Sequence, residues 1–286
     1  MRDVLTVIGV AVAVLLIGVL GYALLFGGDE LQALSVQRVE GEVRTQRGGQ
    51  ASATQVGELL GPSDRLVAGE GGRAVLSFGE SSALVVESQT SLRVLGEGSD
   101  GIEIELEGGR VHATVRAGDG RLGVHNGSRR VGLAEAEADI AVGPDGSTYL
   151  EVQEGDLELS GFEGVDELRA GQRLVAAPGA DVLVEGVDKD LLLEVAWPLG
   201  ESTNKDRVVV RGQSSPGSRV QVVGGAQDVV GQVDRQGDFE LDVPLGEGHN
   251  ELTVLVQDPL GRAQEASWEI LRDTRPPTAT IQVGGP

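Results

Sequence analysis

The segment RAVLSFGESSALVVE, residues 73–87, contains two runs in which apolar side chains alternate with polar or smaller ones. Alternation with a period of two places one set of side chains on each face of a β-strand. The short glycine-containing break at 79–82 between the two runs is typical of a β-hairpin. We therefore predict strands over 73–78 and 83–87 that are joined by a tight turn.

The same pattern extends in both directions from this hairpin. Further strands are predicted near 36–43, 91–95, 102–106, 111–115, 122–125, 148–152 and 156–159, with glycine-rich turns between them. Residues 131–142 have a helix-forming composition in part, but small apolar and acidic residues alternate there with a period of two, which favours a strand. The 44 glycines and the low aromatic content of 3% also indicate many short strands.

Two segments of the chain have similar sequences. LRAGQRLVA at 168–176 resembles LGPSDRLVA at 60–68, and the preceding EGDL at 154–157 resembles EGEV at 40–43. Self-similarity of this kind indicates that one β unit is used repeatedly, in a compact sandwich or a short solenoid turn.

A family resemblance rests on an ordered set of short motifs. These are E-G-x-V at 40–43, D-R-L at 64–66, G-x-G-G-R-A-V-L at 69–76, T-S-L at 90–92, G-G-R-V at 108–111, V-x-x-G at 152–155 and A-G-Q at 170–172. In this order they resemble a FecR-type domain over residues 36–178. The resemblance implies an all-β periplasmic module. In signalling members such a module stands behind an anti-sigma segment inside the cell and responds to an outer-membrane transporter.

A second resemblance covers residues 191–272, where about seven short strands are predicted. P-G-S-x-V at 216–220, D-x-x-G-x-F at 234–239, G-x-N-x-L-x-V at 248–254 and D-x-x-G at 258–261 resemble bacterial immunoglobulin-like domains. The resemblance implies a β-sandwich that serves as a spacer or adhesion module. Residues 179–190 are predicted to be a linker, and 273–286 a proline-rich tail.

An apolar run without charge or proline occupies residues 4–26. As a helix it would be long enough to cross a ~30 Å hydrocarbon core, and we predict a membrane anchor there rather than a cleaved signal peptide. The anchoring side chains would be Val4, Leu5, Ile8, Leu15, Leu16, Ile17, Leu20, Leu24, Leu25 and Phe26.

The charges that flank this run predict its orientation. Arg2 precedes it and Asp29 and Glu30 follow it, so residues 1–3 would be a cytoplasmic stub and 27–35 a spacer. The rest of the chain would lie in the periplasm, tethered to the bacterial inner membrane by a single span. Because a three-residue stub is too short for an anti-sigma domain, this favours a binding or assembly role over iron-transport signalling.

Composition and motifs argue against several functional classes. The net charge of −22 disfavours nucleic acid as a partner, and the absence of cysteine excludes thiol chemistry. The three histidines, His112, His125 and His249, lack metal-ligand spacing, and no phosphate loop or nucleophile elbow is present. We therefore predict no catalytic, cofactor-binding or metal-binding residue, no cofactor and no enzymatic activity.

Together these observations predict a mainly β fold class: an N-terminal transmembrane helix, then a FecR-like all-β domain and an immunoglobulin-like β-sandwich. The favoured function is a membrane-anchored, non-enzymatic scaffold, adaptor or binding protein of the bacterial cell envelope. The alternatives are a transmembrane signalling receptor related to FecR-type regulators and a carbohydrate-binding or adhesive surface protein. The expected partners are the lipid bilayer, through the helix, and an envelope protein or peptidoglycan; a homo-oligomer is left open.

Overall fold

The computed structural model describes residues 34–98, 101–187, 193–198 and 200–275. Within these ranges every helix or strand element is a β-strand. This part of the chain accordingly contains no helix that could cross a membrane. The predicted fold class is therefore wrong in including a helix, and the described chain is all-β; only the mainly β component agrees. The predicted anchor at 4–26, with its ten side chains from Val4 to Phe26, lies outside the described residues.

The described ranges contain twenty-five strands. In chain order they are β1 (Leu34–Glu40), β2 (Val43–Arg47), β3 (Gln50–Ala53), β4 (Leu59–Leu60), β5 (Arg65–Ala68), β6 (Arg73–Phe78), β7 (Ser82–Val86), β8 (Thr90–Glu97), β9 (Gly101–Val115), β10 (Arg121–Asn126), β11 (Arg129–Leu133), β12 (Ala136–Val142), β13 (Thr148–Glu154), β14 (Asp156–Ser160), β15 (Glu167–Arg169), β16 (Gln172–Ala176), β17 (Leu183–Gly186), β18 (Leu193–Ala196), β19 (Ser202–Thr203), β20 (Arg207–Ser214), β21 (Arg219–Val223), β22 (Val229–Gln232), β23 (Asp238–Pro244), β24 (Gly248–Gln257) and β25 (Ala263–Arg272).

Period-two patterning explains why these segments are strands. In β6 the side chains of Ala74, Leu76 and Phe78 are buried while those between them are not, and β7 pairs with β6 in an antiparallel hairpin. Gly79 at the turn has φ +60°, a backbone conformation that glycine adopts without steric cost. This hairpin confirms the prediction made from residues 73–87.

The chain packs into two compact units. Of the described residues, unit 1 comprises 34–98, 101–107, 112–137 and 155–161. Its strands form antiparallel ladders in which β1 pairs with β4 and β6, β2 with β3 and β5, and β5 with β8. β10 pairs in parallel with the start of β9 and antiparallel with β11, which in turn pairs with β14. Fully buried side chains from these strands include Leu34, Leu66, Leu76, Leu84, Leu92 and Leu122.

Of the described residues, unit 2 comprises 108–111, 138–154, 162–187, 193–198 and 200–275. One part of it is a ladder in which β16 pairs with β13 on one side and with β17 on the other. We call these three strands the β16 ladder. The other part, β18 to β25, has a three-stranded sheet, β18-β20-β23, and a five-stranded sheet, β19-β25-β24-β21-β22.

Both of these sheets contribute side chains to one hydrophobic core. Val210 and Val243 come from the three-stranded sheet, and Val222, Leu252 and Val254 come from the five-stranded sheet. Two sheets that enclose a shared apolar core form a β-sandwich. The predicted sandwich is therefore present over the described part of 193–275, whereas its immunoglobulin-like family stays a prediction.

The similar sequences at 60–68 and 168–176 form a similar backbone turn. Ser63 and Gly171 occupy the same position in the two segments and have φ of +72° and +77°. Leu66 and Leu174, three residues further on, are both fully buried. The strand partners nevertheless differ. β13 corresponds to β1, because β13 leads into EGDL at 154–157 as β1 leads into EGEV at 40–43. β16 pairs with β13, whereas the equivalent strand β5 pairs with β2. The two copies therefore share a local turn but not a sheet topology.

Candidate functional site

A cluster of four charged side chains joins the β16 ladder to the sandwich within unit 2. Arg173 of β16 donates through Nη2 to Glu151 Oε2 of β13 at 2.8 Å. Its Nη1 donates to the hydroxyl of Ser215, which follows β20 in the sandwich, at 3.2 Å. The Arg173 side chain is only 9% exposed and that of Glu151 only 13%. This arginine therefore contacts both parts of unit 2 from a site that is largely shielded from water.

Asp258, in the turn between β24 and β25, provides the second acidic group. Its Oδ1 accepts a hydrogen bond from the backbone N–H of Arg262, and its Oδ2 accepts one from Arg262 Nε, both at 2.8 Å. Arg173 Nη2 lies 3.9 Å from Asp258 Oδ2, and Arg262 Nη2 lies 3.4 Å from Glu151 Oε2. Glu151, Arg173, Asp258 and Arg262 thus alternate in charge; we call these four residues the charged junction.

Burial dominates the electrostatics of the charged junction. The Asp258 side chain is 2% exposed. Loss of water around this carboxylate raises the pKa of Asp258 to about 6, and the neighbouring charge of Glu151 adds to the rise. The positive charges of Arg173 and Arg110 act in the opposite direction but do not cancel it. The Asp258 carboxyl therefore keeps its proton to a higher pH than an ordinary aspartate does.

Apolar contacts complete the junction between the ladder and the sandwich. Leu260 packs against Ala141, Tyr149 and Val175 in a small cluster separate from the sandwich core. The space left among Tyr149, Arg173 and the neighbouring loop residues is a cavity of about 10 Å³. A cavity of this size holds at most about one water molecule. The charged junction is therefore a closed contact between two parts of the chain and not a ligand pocket.

The sandwich also has an open groove of about 740 Å³. Its walls include two cross-strand pairs on the three-stranded sheet: Arg211 Nε donates to Glu240 Oε2 at 2.8 Å, and Gln213 Nε2 donates to Asp238 Oδ1 at 2.9 Å. The other lining residues are Glu194, Val195, Ala196, Gly212, Gln232, Asp234 and Phe239. The described lining of the groove thus offers carboxylates, amides, one guanidinium and the ring of Phe239.

A second cluster of charged side chains lies in unit 1. Glu103 of β9 accepts hydrogen bonds from Arg130 Nη2 at 2.6 Å and from Arg130 Nε at 3.2 Å, and its Oε2 lies 2.7 Å from His125 Nε2. Burial opposes ionisation of this carboxyl, but the bonds to Arg130 and His125 hold the pKa of Glu103 below its usual range. The group is a satisfied surface ion cluster that fastens β9 to β10 and β11.

The residues singled out from the sequence occupy structural positions. His125 belongs to this ion cluster, and His112 Nε2 lies 3.5 Å from Glu137 Oε1. Within the described ranges, no group of His, Cys, Asp or Glu is arranged to hold a metal ion. The predicted membrane-anchor residues lie outside the described ranges.

Sequence reasoning missed the charged junction. Two signals were available, because Arg173 lies in the repeated Arg-Leu-Val-Ala segment and Asp258 opens the D-x-x-G motif at 258–261. Neither signal indicates that the two side chains meet.

Comparison with known proteins identifies one region of the chain. The family model described as FecR protein matches residues 64–158, which confirms the predicted FecR domain over that range. No curated protein matches the chain significantly.

Solved structures resemble this chain only distantly. Two structures of a candidate anti-sigma factor from Parabacteroides distasonis are each 16% identical, with a TM-score of 0.38, over 43% of this chain and 60% of theirs. A tetra-tandem repeat from the extending region of a large adhesion protein is 13% identical, with a TM-score of 0.28, over 86% of this chain and 68% of that one. The chain therefore spans less than two thirds of the length of the anti-sigma factor chains.

Proposed function

We propose that this chain is a FecR-type regulatory protein of the bacterial cell envelope, in which the FecR region receives a signal by protein–protein contact. The FecR match at 64–158 is the observation that supports this role most directly. The proposal reverses the order given by the sequence, where a scaffold or adaptor came first and a FecR-related receptor was an alternative. The match favours the receptor, because signalling is what the FecR resemblance implies.

The proposed mechanism uses binding and no catalysis. The described FecR region carries partly exposed cross-strand ion pairs, such as Arg93 with Glu107 and Arg130 with Glu103. Charged groups at such a surface provide charge patterns that select a partner. The proposed partner is another envelope protein, met outside the cytoplasm. A FecR domain extending over 36–178 and an immunoglobulin-like spacer at 191–272 belong to the same proposal.

Transcript profiling of cells that carry single substitutions tests the proposed regulatory role. Leu122 is fully buried in β10, inside the matched region, so Leu122→Asp should unfold unit 1. Leu95, in β8 of the same region, is 45% exposed, so Leu95→Asp is the matched control. We expect Leu122→Asp to alter a defined set of transcripts and Leu95→Asp to leave them unchanged.

Two results would count against a regulatory role. The first is an unchanged transcriptome in the Leu122→Asp strain, with the loss of folded unit 1 confirmed on the purified variant. The second is a transcript change of equal size in both strains, since this would point to a general envelope stress. If Leu122→Asp instead removes a crosslinked envelope partner without any transcriptional effect, the scaffold hypothesis is favoured.

A further inference from the structure

We infer that the turn at 258–262 is a releasable clasp, which holds the sandwich on the β16 ladder while the charged junction is closed and frees it when the junction opens. The inference concerns the two parts of unit 2 and does not depend on the proposed regulatory role. A clasp of this kind would allow the ladder and the sandwich either to move as one body or to move separately.

The charges across this contact depend on one another. Arg173 contacts Glu151 of the ladder as well as Ser215 and Asp258 of the sandwich, and Arg262 of the sandwich also lies 3.4 Å from Glu151. The side chains of Arg173, Glu151 and Asp258 are each at most 13% exposed. Removing one partner of a buried ion pair is strongly destabilising, because the remaining charge has neither water nor a counter-ion. Loss of Arg173 would therefore leave the buried carboxylates of Glu151 and Asp258 with Arg262 as their one remaining cation within the charged junction.

The apolar part of the contact is small compared with the core of the sandwich. Leu260 is the one sandwich side chain in the cluster formed with Ala141 and Tyr149. The sandwich has its own core of thirteen buried residues, from Val208 to Ile270. An interface with little apolar burial next to a self-sufficient core resembles the interfaces between mobile domains. The sandwich can thus stay folded when the clasp opens.

Two glycines allow the surfaces to approach closely. Gly217 has φ +79°, and a Cβ atom there would overlap the hydroxyl of Tyr149. Gly261 has φ +87°, and a Cβ atom there would overlap the guanidinium of Arg110. The backbone of the sandwich loops therefore lies directly against Tyr149 of the ladder and Arg110 of β9.

Distance measurement between two spin labels tests the clasp on the full chain. The protein has no cysteine, so cysteines introduced at Asp181 and Glu265 would be the only labelling sites. Both positions are exposed, one beside the β16 ladder and one on β25 of the sandwich. With the wild-type junction we expect one narrow distance distribution. With Arg173→Met we expect a broad distribution, reflecting a shift of at least about 100-fold in the ratio of closed to open forms.

Arg65→Met is the matched control. Arg65 occupies the equivalent position in the first Arg-Leu-Val-Ala segment, but its guanidinium contacts Ser91 and Glu107 of unit 1. The labelled Arg65→Met chain should keep the narrow distribution. Trp197 and Trp268 stack with ring centroids 5.6 Å apart in the sandwich, so their fluorescence reports independently whether the sandwich is folded.

Arg262→Gln is a second variant that tests the clasp if Arg173→Met does not fold. Arg262 is 26% exposed, so its loss removes contacts with Asp258 and Glu151 at a smaller cost. A broadened distribution with native tryptophan fluorescence would support the clasp. A narrow, unshifted distribution in a folded Arg173→Met or Arg262→Gln chain would overturn it.

Discussion

Replacing Asp258 by asparagine should remove a pH dependence of unit 2 that has the opposite sign to that of most aspartates. Burial raises the pKa of the Asp258 carboxyl from 3.8 to about 6. The folded state therefore holds this proton over a pH range in which the unfolded state has released it. The contribution to stability is fully present below pH 3.8 and is lost as the pH rises through 6. The asparagine side chain has no proton to lose, so the variant should lack this loss.

The magnitude follows from the size of the pKa difference. A shift from 3.8 to about 6 is worth about 1.4 kcal/mol per unit, or about 3 kcal/mol in all. By the linkage relation, about 2 kcal/mol of this loss occurs between about pH 4.5 and 7. Relative to wild type, Asp258→Asn should therefore become more stable by about 2 kcal/mol over that interval.

Urea unfolding monitored by tryptophan fluorescence at several pH values measures this difference. Both tryptophans lie in the sandwich, so the signal follows the part of unit 2 that contains Asp258. Subtracting the variant from the wild type cancels the titration of the other carboxyls. Asp242→Asn is the control, because the Asp242 side chain is 57% exposed and pairs with Arg207 on the sandwich surface. The control shows how far an Asp→Asn change on the sandwich surface alters the urea transition without touching the charged junction.

The opposite result would refute the argument. Arg262 donates two hydrogen bonds to the Asp258 carboxylate, and such bonds favour the charged form. If wild type gains stability relative to Asp258→Asn as the pH rises, these bonds outweigh the loss of water. A difference that does not change with pH would equally contradict a raised pKa.

Three further predictions test the fold. Asp119→Ala should lower the melting temperature of unit 1, measured by circular dichroism, more than Asp119→Asn does. The Asp119 carboxylate accepts backbone and hydroxyl hydrogen bonds from the turn between β6 and β7, and alanine can accept none of them. Equal effects of the two substitutions would contradict this. Gly171→Ala should lower the free energy of unfolding by about 1 kcal/mol because of its positive φ alone. Gly155→Ala should lower it clearly more, because the new Cβ would also overlap the Glu135 carbonyl. Urea unfolding that ranks the two variants the other way would contradict this. Leu252→Ala should cost about 2–5 kcal/mol in the tryptophan-detected transition, because Leu252 is fully buried in the sandwich core; a loss below about 1 kcal/mol would argue against that core.

Local patterning was sufficient to predict most of the strands. The strand at 73–78 was predicted with the bounds that β6 has, and alternation rather than composition gave the correct state for β12. Patterning failed at 108–109, where two glycines suggested a break between two strands. The structure has one strand, β9, from Gly101 to Val115, although Gly109 has φ +93°. Strand pairing on both sides of a glycine can continue through it, and the sequence around the glycine does not reveal those partners.

The sequence by itself determined the β character of the described chain, its glycine turns and the FecR region, because a period of two and a positive-φ turn are set by neighbouring residues. It also led to an incorrect fold class, since a helix was included that no described residue supports. Only the tertiary structure decided that Arg173 meets Glu151, Ser215 and Asp258. These contacts join β13, β16 and two sandwich loops that are far apart along the chain. Their burial, and with it the raised pKa of Asp258, arises only when the ladder and the sandwich pack together and exclude water.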